Sequence, residues 1–189
     1  MDLGVLISTF GLVGVAELGD KSMFAVIALA ARYGRRGVFF GAVSALFLLS
    51  VIAALLGATV SNLVDDSIIV PMAALVFLAY GSYMLVKKED ETEEVLTTSS
   101  SSGFFATFSL ITLMEMGDKT QIAIFTLAAS TGEALAVIAG ASLAFIVMVA
   151  IEVYLGQKIS TKVSPQTMRS LAGAVFLLFG FFYLLQWLL

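Results

Sequence analysis

Glu17-Leu18-Gly19-Asp20-Lys21-Ser22 returns 98 positions later as Glu115-Met116-Gly117-Asp118-Lys119-Thr120. Both copies lie in the middle of long apolar stretches. An ionisable side chain at the centre of a bilayer-length segment costs roughly 2.5–3.5 kcal/mol on insertion scales. Two Glu, two Asp and two Lys would together cost on the order of 15 kcal/mol if unpartnered, comparable with the whole stability of a typical domain. A penalty of that size marks the repeated hexapeptide as the working part of the chain.

The surrounding composition says what kind of solvent the chain meets. Of 189 residues, 60% are hydrophobic and 13% charged, and the mean hydropathy is +1.03. Soluble domains carry about 25% charged residues, so this is an integral membrane protein. The apolar stretches are longer than strands and lack strict alternation, which predicts an all-α protein rather than a barrel. Cysteine and histidine are both absent. That removes disulfides, thiolate metal sites and the commonest metal ligand and proton shuttle. Any metal must be held by oxygen, or by weak thioether donors. With a net charge of −4 and no basic surface, nothing points to nucleic acid. No nucleophile–base pair or nucleotide motif points to an enzyme. No basic n-region precedes the first apolar run, so the first helix is expected to be retained.

Six apolar segments can be drawn, at about 4–30, 37–61, 68–86, 104–130, 134–158 and 168–189. Each has the roughly 20 residues needed to cross a hydrocarbon core. Basic residues alternate between the loops: Arg32, Arg35 and Arg36, then none, then Lys87 and Lys88, then none, then Lys158, Lys162 and Arg169. The positive-inside rule then puts loops one, three and five in the cytoplasm and both termini outside it. The repeat extends past the hexapeptides: Gly41-Ala42 matches Gly140-Ala141, Gly57 matches Gly156, and Val76-Phe77-Leu78 with Gly81 matches Val175-Phe176-Leu177 with Gly180. The expected architecture is six transmembrane helices in two three-helix repeats, residues 1–88 and 104–189. Three crossings per copy invert the second copy relative to the first, a plan recurrent in secondary transporters with a midplane substrate site. The acidic, serine-rich stretch 89–103 reads as a flexible cytoplasmic linker.

On a continuous helix, Glu17 and Asp20 share a face, as do Glu115 and Asp118, and Lys21 and Lys119 follow their Glu at a salt-bridge spacing. The first and fourth segments are either tilted or broken at Gly19 and Gly117. If a pseudo-two-fold brings them together, four carboxylates converge, and some must take up protons or a cation. Four carboxylates and two ammonium groups leave −2, which one divalent cation or two protons neutralise. An all-oxygen site suits Ca²⁺, Mn²⁺ or Mg²⁺ better than Zn²⁺ or Cu⁺. Ser22, Thr112, Thr120, Gln121 or backbone carbonyls freed at the glycines are candidates to complete the shell. Met23, Met114 and Met116 are candidate soft donors, though packing explains them more simply. The competing view is structural: two buried Glu–Lys bridges that lock the halves. It leaves Asp20 and Asp118 with no cationic partner in the membrane. Lys21 and Lys119 lie on opposite sides of their glutamates and are candidate gates. Glu152, whose repeat counterpart is Ala53, is expected either to relay protons beside a water-filled cavity or to sit near the interface. Asp65 and Asp66 read as a solvated turn and Trp187 as an interfacial anchor.

The duplicated Glu-x-Gly-Asp-Lys-Ser/Thr motif in a six-helix chain resembles the manganese/calcium cation–proton antiporter family. Its members include bacterial manganese exporters and the Golgi proteins called transmembrane protein 165. The resemblance implies Mn²⁺ transport, with Ca²⁺ as second substrate, in exchange for protons. By position it makes Glu17, Asp20, Glu115 and Asp118 the metal-binding residues, with Lys21, Ser22, Lys119 and Thr120 at the other motif positions. The metal is cargo, and no cofactor is implied. The chain lacks the N-terminal extension of organellar members, so it looks like a bacterial inner-membrane form exporting cytosolic Mn²⁺. The rival readings are a Ca²⁺/H⁺ antiporter on the same residues, a cation channel without proton coupling, and a non-transporting scaffold. Divalent cations, protons and the lipid bilayer are the expected partners; a homo-oligomer is left open.

Overall fold

The computed structural model describes residues 1–18, 20–86, 103–160 and 165–188. These residues form eight helices and no strand: α1 (Leu3–Glu17), α2 (Lys21–Tyr33), α3 (Arg35–Leu63), α4 (Asp66–Val86), α5 (Gly103–Glu115), α6 (Lys119–Thr131), α7 (Ala134–Ser160) and α8 (Pro165–Leu188). Helices are the expected answer for long apolar runs, because they satisfy every backbone polar group without water. Asp2 starts the first of them, its carboxylate accepting from the backbone N–H groups of Gly4 at 2.7 Å and Val5 at 3.3 Å.

Two of the six expected segments are broken rather than tilted. The fourth divides into α5 and α6, and in the break Gly117 adopts φ +79°, a conformation glycine enters without steric cost. The first divides into α1 and α2, which are bent by 73°; Gly19 lies outside the described residues. Among the described residues, Arg35–Leu63 and Ala134–Tyr154 are each long and apolar enough to cross a membrane, and the bent α1–α2 pair gives a third span if taken as one. Ser67–Tyr83, Gly103–Glu115 and Gly173–Leu188 are shorter apolar helices. The linker at 89–102, Lys87, Lys88 and Lys162 also lie outside the described residues, as do the side chains of Lys21, Lys158 and Arg169.

The broken helices pack along the long helices of the opposite half. A Cβ on Gly41 of α3 would stand 2.6 Å from the Phe104 carbonyl oxygen and 3.0 Å from the Thr107 Cβ of α5. A Cβ on Gly140 of α7 would stand 2.5 Å from the Leu6 oxygen and 2.9 Å from the Thr9 Cβ of α1. These two contacts correspond residue for residue under the repeat. Further along α3, Gly57 approaches the Phe125 oxygen and Ala128 of α6. One long helix thus follows both pieces of a broken one, with small residues where the backbones close. Helices α4 and α8 meet antiparallel: Gly81 abuts Leu177, Gly180 abuts Leu78, and Gly173 abuts Leu85. The equivalent rings of Phe77 and Phe176 touch edge to face at 5.8 Å. Around this core the outward side chains are apolar, with Leu55, Leu56, Leu135, Leu178 and Phe182 all exposed. Such a surface suits lipid rather than water.

The Gly41, Gly57 and Gly140 contacts lie closest to backbone oxygens, which have little room to yield. Gly140→Ala is therefore expected to destabilise the fold by about 1–3 kcal/mol, read as a lowered unfolding midpoint in detergent. Gly11→Ala, where a Cβ meets nothing within 4 Å, should leave it unchanged.

Candidate metal centre

Each hexapeptide folds as a helix end, a tight turn and a helix start. Glu17 closes α1 and Glu115 closes α5. The N–H of Asp20 donates to the Glu17 carbonyl at 3.2 Å, and that of Asp118 to the Glu115 carbonyl at 3.1 Å. Beyond the turns, Met23 N–H donates to the Asp20 carbonyl at 3.1 Å and Ile122 N–H to the Asp118 carbonyl at 3.0 Å. Gln121 braces the second break, its side-chain oxygen accepting from Gly117 N–H. The glutamate and aspartate of a motif are therefore brought together by a turn, not by sharing one face of a continuous helix as their spacing predicts.

This changes the ion pairing. Lys119, expected to bridge back to Glu115 four residues earlier, begins a new helix after the chain has turned. Its ammonium group instead joins the Asp20 carboxylate of the other motif and stands 3.3 Å from Asp118 Oδ2. Both aspartates thus have a cationic partner, contrary to the expectation from spacing. Asp118 occupies the N-cap of α6, but its side chain makes no capping bond there; its oxygen is turned to the lysine. The side chain of Lys21 lies outside the described residues.

One carboxylate oxygen each from Glu17, Asp20 and Glu115 lie within 4.8 Å of one another. Glu17 is 2% and Glu115 3% exposed. Thr120 Oγ1 donates to Glu17 Oε1 at 2.7 Å across the two motifs, and Ser22 also hydrogen-bonds the Glu17 side chain. Oxygens on opposite sides of a single Ca²⁺ are separated by about twice a metal–oxygen bond, roughly 4.6–5.2 Å. The three carboxylates are therefore close enough to share one ion. Asp118 joins the cluster through Lys119, whose ammonium group meets both aspartates.

Other candidates fall on either side of this cluster. Thr112 Oγ1 donates to the Phe108 carbonyl at 2.7 Å, within its own helix. Met23 is buried and Met114 packs on the core, whereas Met116 is 65% exposed and turned away as a donor. Asp65 is exposed, and its carbonyl accepts from Ile68 and Ile69 at the start of α4. Sequence reasoning missed Ser50 of α3. It is fully buried and, with Glu115, Thr120 and Gln121, lines a small cavity of about 10 Å³. The available signal was a lone hydroxyl in an apolar run, weakened because its repeat counterpart is Val149.

A family model described as divalent cation/proton antiporter GDT1 matches residues 5–92 and 103–188. The chain belongs to the GDT1 family. Its relatives include a GDT1-like protein of Synechocystis, 31% identical over 89% of this chain and 91% of the relative. A Vibrio cholerae protein whose name reads "Putative manganese exporter" is 29% identical, over 93% of this chain and 88% of its own length. A GDT1-like protein of Schizosaccharomyces pombe is 26% identical over 90% and 85%. No solved structure matches. The resemblance read from two hexapeptides thus agrees with a comparison that covers both halves. GDT1 membership makes this a membrane transporter family rather than an enzyme class, with metal ions as substrates.

The cross-motif ion pair carries a stability consequence. Lys119→Met leaves buried carboxylates uncompensated and is expected to cost about 3–5 kcal/mol. Adding Asp20→Asn should recover part of that loss, which a double-mutant cycle of unfolding midpoints measures.

Proposed function

We propose that this GDT1-family chain exports Mn²⁺ from the cytosol in exchange for protons, through a site made of Glu17, Asp20, Glu115 and Asp118. The observation that carries this reading is the buried meeting of three carboxylate oxygens from both motifs. Carboxylates so close cannot all remain ionised without a positive charge among them. Lys119 supplies one, and a divalent ion or protons supply the rest. Occupation by the ion and by protons is then mutually exclusive, which couples their movements in opposite directions.

In this reading the chain crosses the bilayer six times, as two inverted three-helix repeats, with α1–α2 and α5–α6 each serving as one broken span. The antiparallel meeting of α4 with α8 and the reciprocal glycine contacts support the inversion. Helices broken at mid-depth leave carbonyl groups at their ends, and such discontinuous helices are how many transporters build ion sites. Loops bearing Arg32, Arg35 and Arg36, and Lys158 with Arg169, face the cytosol, placing both termini outside it in a bacterial inner membrane. Ser22 and Thr120 orient Glu17, and Lys119 breaks and remakes its contact with Asp20 as the halves rock. Oxygen donors admit Ca²⁺ as well; Mn²⁺ is preferred because a relative of similar length carries manganese export in its name.

The glutamates give the cleaner test, since amide substitutions at the aspartates also disturb the Lys119 pair. In proteoliposomes, Mn²⁺ added on one side should drive proton movement the other way. Glu17→Gln and Glu115→Gln should each reduce that movement by at least about 100-fold, the upper end of what loss of a mere supporting group costs a metal site. Ca²⁺ should compete more weakly than Mn²⁺. Indifference to Mn²⁺ in the unaltered protein would refute the substrate assignment.

A further inference from the structure

A second cavity, of about 80 Å³, opens beside the first half-helix pair. Ile27, Ala30 and Ala31 of α2, Arg35 at the start of α3, and Glu152 and Tyr154 of α7 line it. A water needs about 10–15 Å³ of such space, so there is room for several. Glu152 is only 5% exposed. Among the described residues no hydrogen bond or ion pair ties its carboxyl group. Buried carboxyl groups almost always have a polar partner, and this cavity has room for one. Among the described residues, the charged groups that act on Glu152 or share its cavity are Glu17 of α1 and Arg35 of α3; the α2 residues lining the cavity, Ile27, Ala30 and Ala31, are apolar. Glu152 therefore borders the cavity at the α2–α3 turn and lies near enough to Glu17 for their charges to interact.

The internal repeat makes this arrangement one-sided. The position equivalent to Glu152 is Ala53 of α3, which is buried and apolar. An acid needed for binding the ion itself would be expected in both copies, as the motif acids are. One present in a single copy fits a task that belongs to one face of the membrane.

We propose that this cavity is the water-filled proton port on the side of the α2–α3 turn, with Glu152 as the carboxyl group that passes protons between the port and the central site. The inference rests on the cation/proton exchange proposed above. As an ion enters from that side, a central carboxyl O–H breaks and the Glu152 carboxylate takes the proton. Glu152 then gives it to cavity water, so one O–H bond forms for each broken and no redox partner is needed. Metal–metal exchange requires no proton transfer and bypasses this step.

The test uses the full chain in proteoliposomes, with Mn²⁺ as the probe and two readouts: exchange of labelled Mn²⁺ for Mn²⁺, and Mn²⁺-driven proton movement. For Glu152→Gln the exchange should stay within about twofold of the unaltered protein while proton movement falls at least about tenfold, the scale of losing a positioned proton-transfer group. Glu152→Asp, which keeps the carboxyl group, should restore much of it. Unchanged proton movement in Glu152→Gln would overturn the port. So would a parallel loss of exchange and proton movement that Glu152→Asp fails to restore. If the unaltered chain moves Mn²⁺ without protons, the antiport reading itself fails and the port with it; this outcome is distinguished by needing no variant.

Discussion

The fold is organised around the difficulty of keeping carboxylates and ammonium groups away from water. A buried charge whose partner is missing destabilises a protein far more than a good pair stabilises it. Here the compensation is exchanged between the halves: Lys119 of one motif answers Asp20 of the other, and Thr120 of one answers Glu17 of the other. Contacts within a motif add to these, Ser22 on Glu17 and Lys119 near Asp118. The apolar scaffold must therefore hold two distant stretches of chain in register to within hydrogen-bond tolerance.

That register comes from small residues. Gly41 and Gly140 let a long helix from each half close on a half-helix of the other, and Gly81 and Gly180 do the same where α4 crosses α8. In lipid there is little hydrophobic drive to press helices together, so close backbone approach and internal polar contacts supply the adhesion. The breaks after Glu17 and Glu115 then place both ends of cut helices in the same region as the acids. A cut helix presents orphan backbone groups and the ends of its dipole, which an uninterrupted span would have hidden.

Much of this was legible in the residues alone. The duplicated hexapeptide, its apolar setting and the missing Cys and His pointed to an oxygen-ligand cation site and to the transporter family that the whole-chain comparison shows. Gly117 was named as a candidate break, and the chain does turn there at positive φ. What spacing misjudged was the partner of Lys119. The i to i+4 rule holds only while the helix runs on, and here it stops at Glu115. Ser50 was overlooked because a single hydroxyl leaves almost no trace in hydropathy and is not repeated. Six crossings were drawn from segment lengths, whereas the described helices include pieces too short to span alone. A pair of half-helices and one long helix look the same to a sliding apolar window.

The crossed packing bears on how such a chain can be made. While the ribosome is still working through the first hundred or so residues, α1 has no α7 to lie against and Asp20 has no lysine from the far side. Until α6 follows, the Asp20 carboxylate must be answered by something other than Lys119. The contacts that α1 makes with α7, and Asp20 and Glu17 with α6, can form only once the second half has been made.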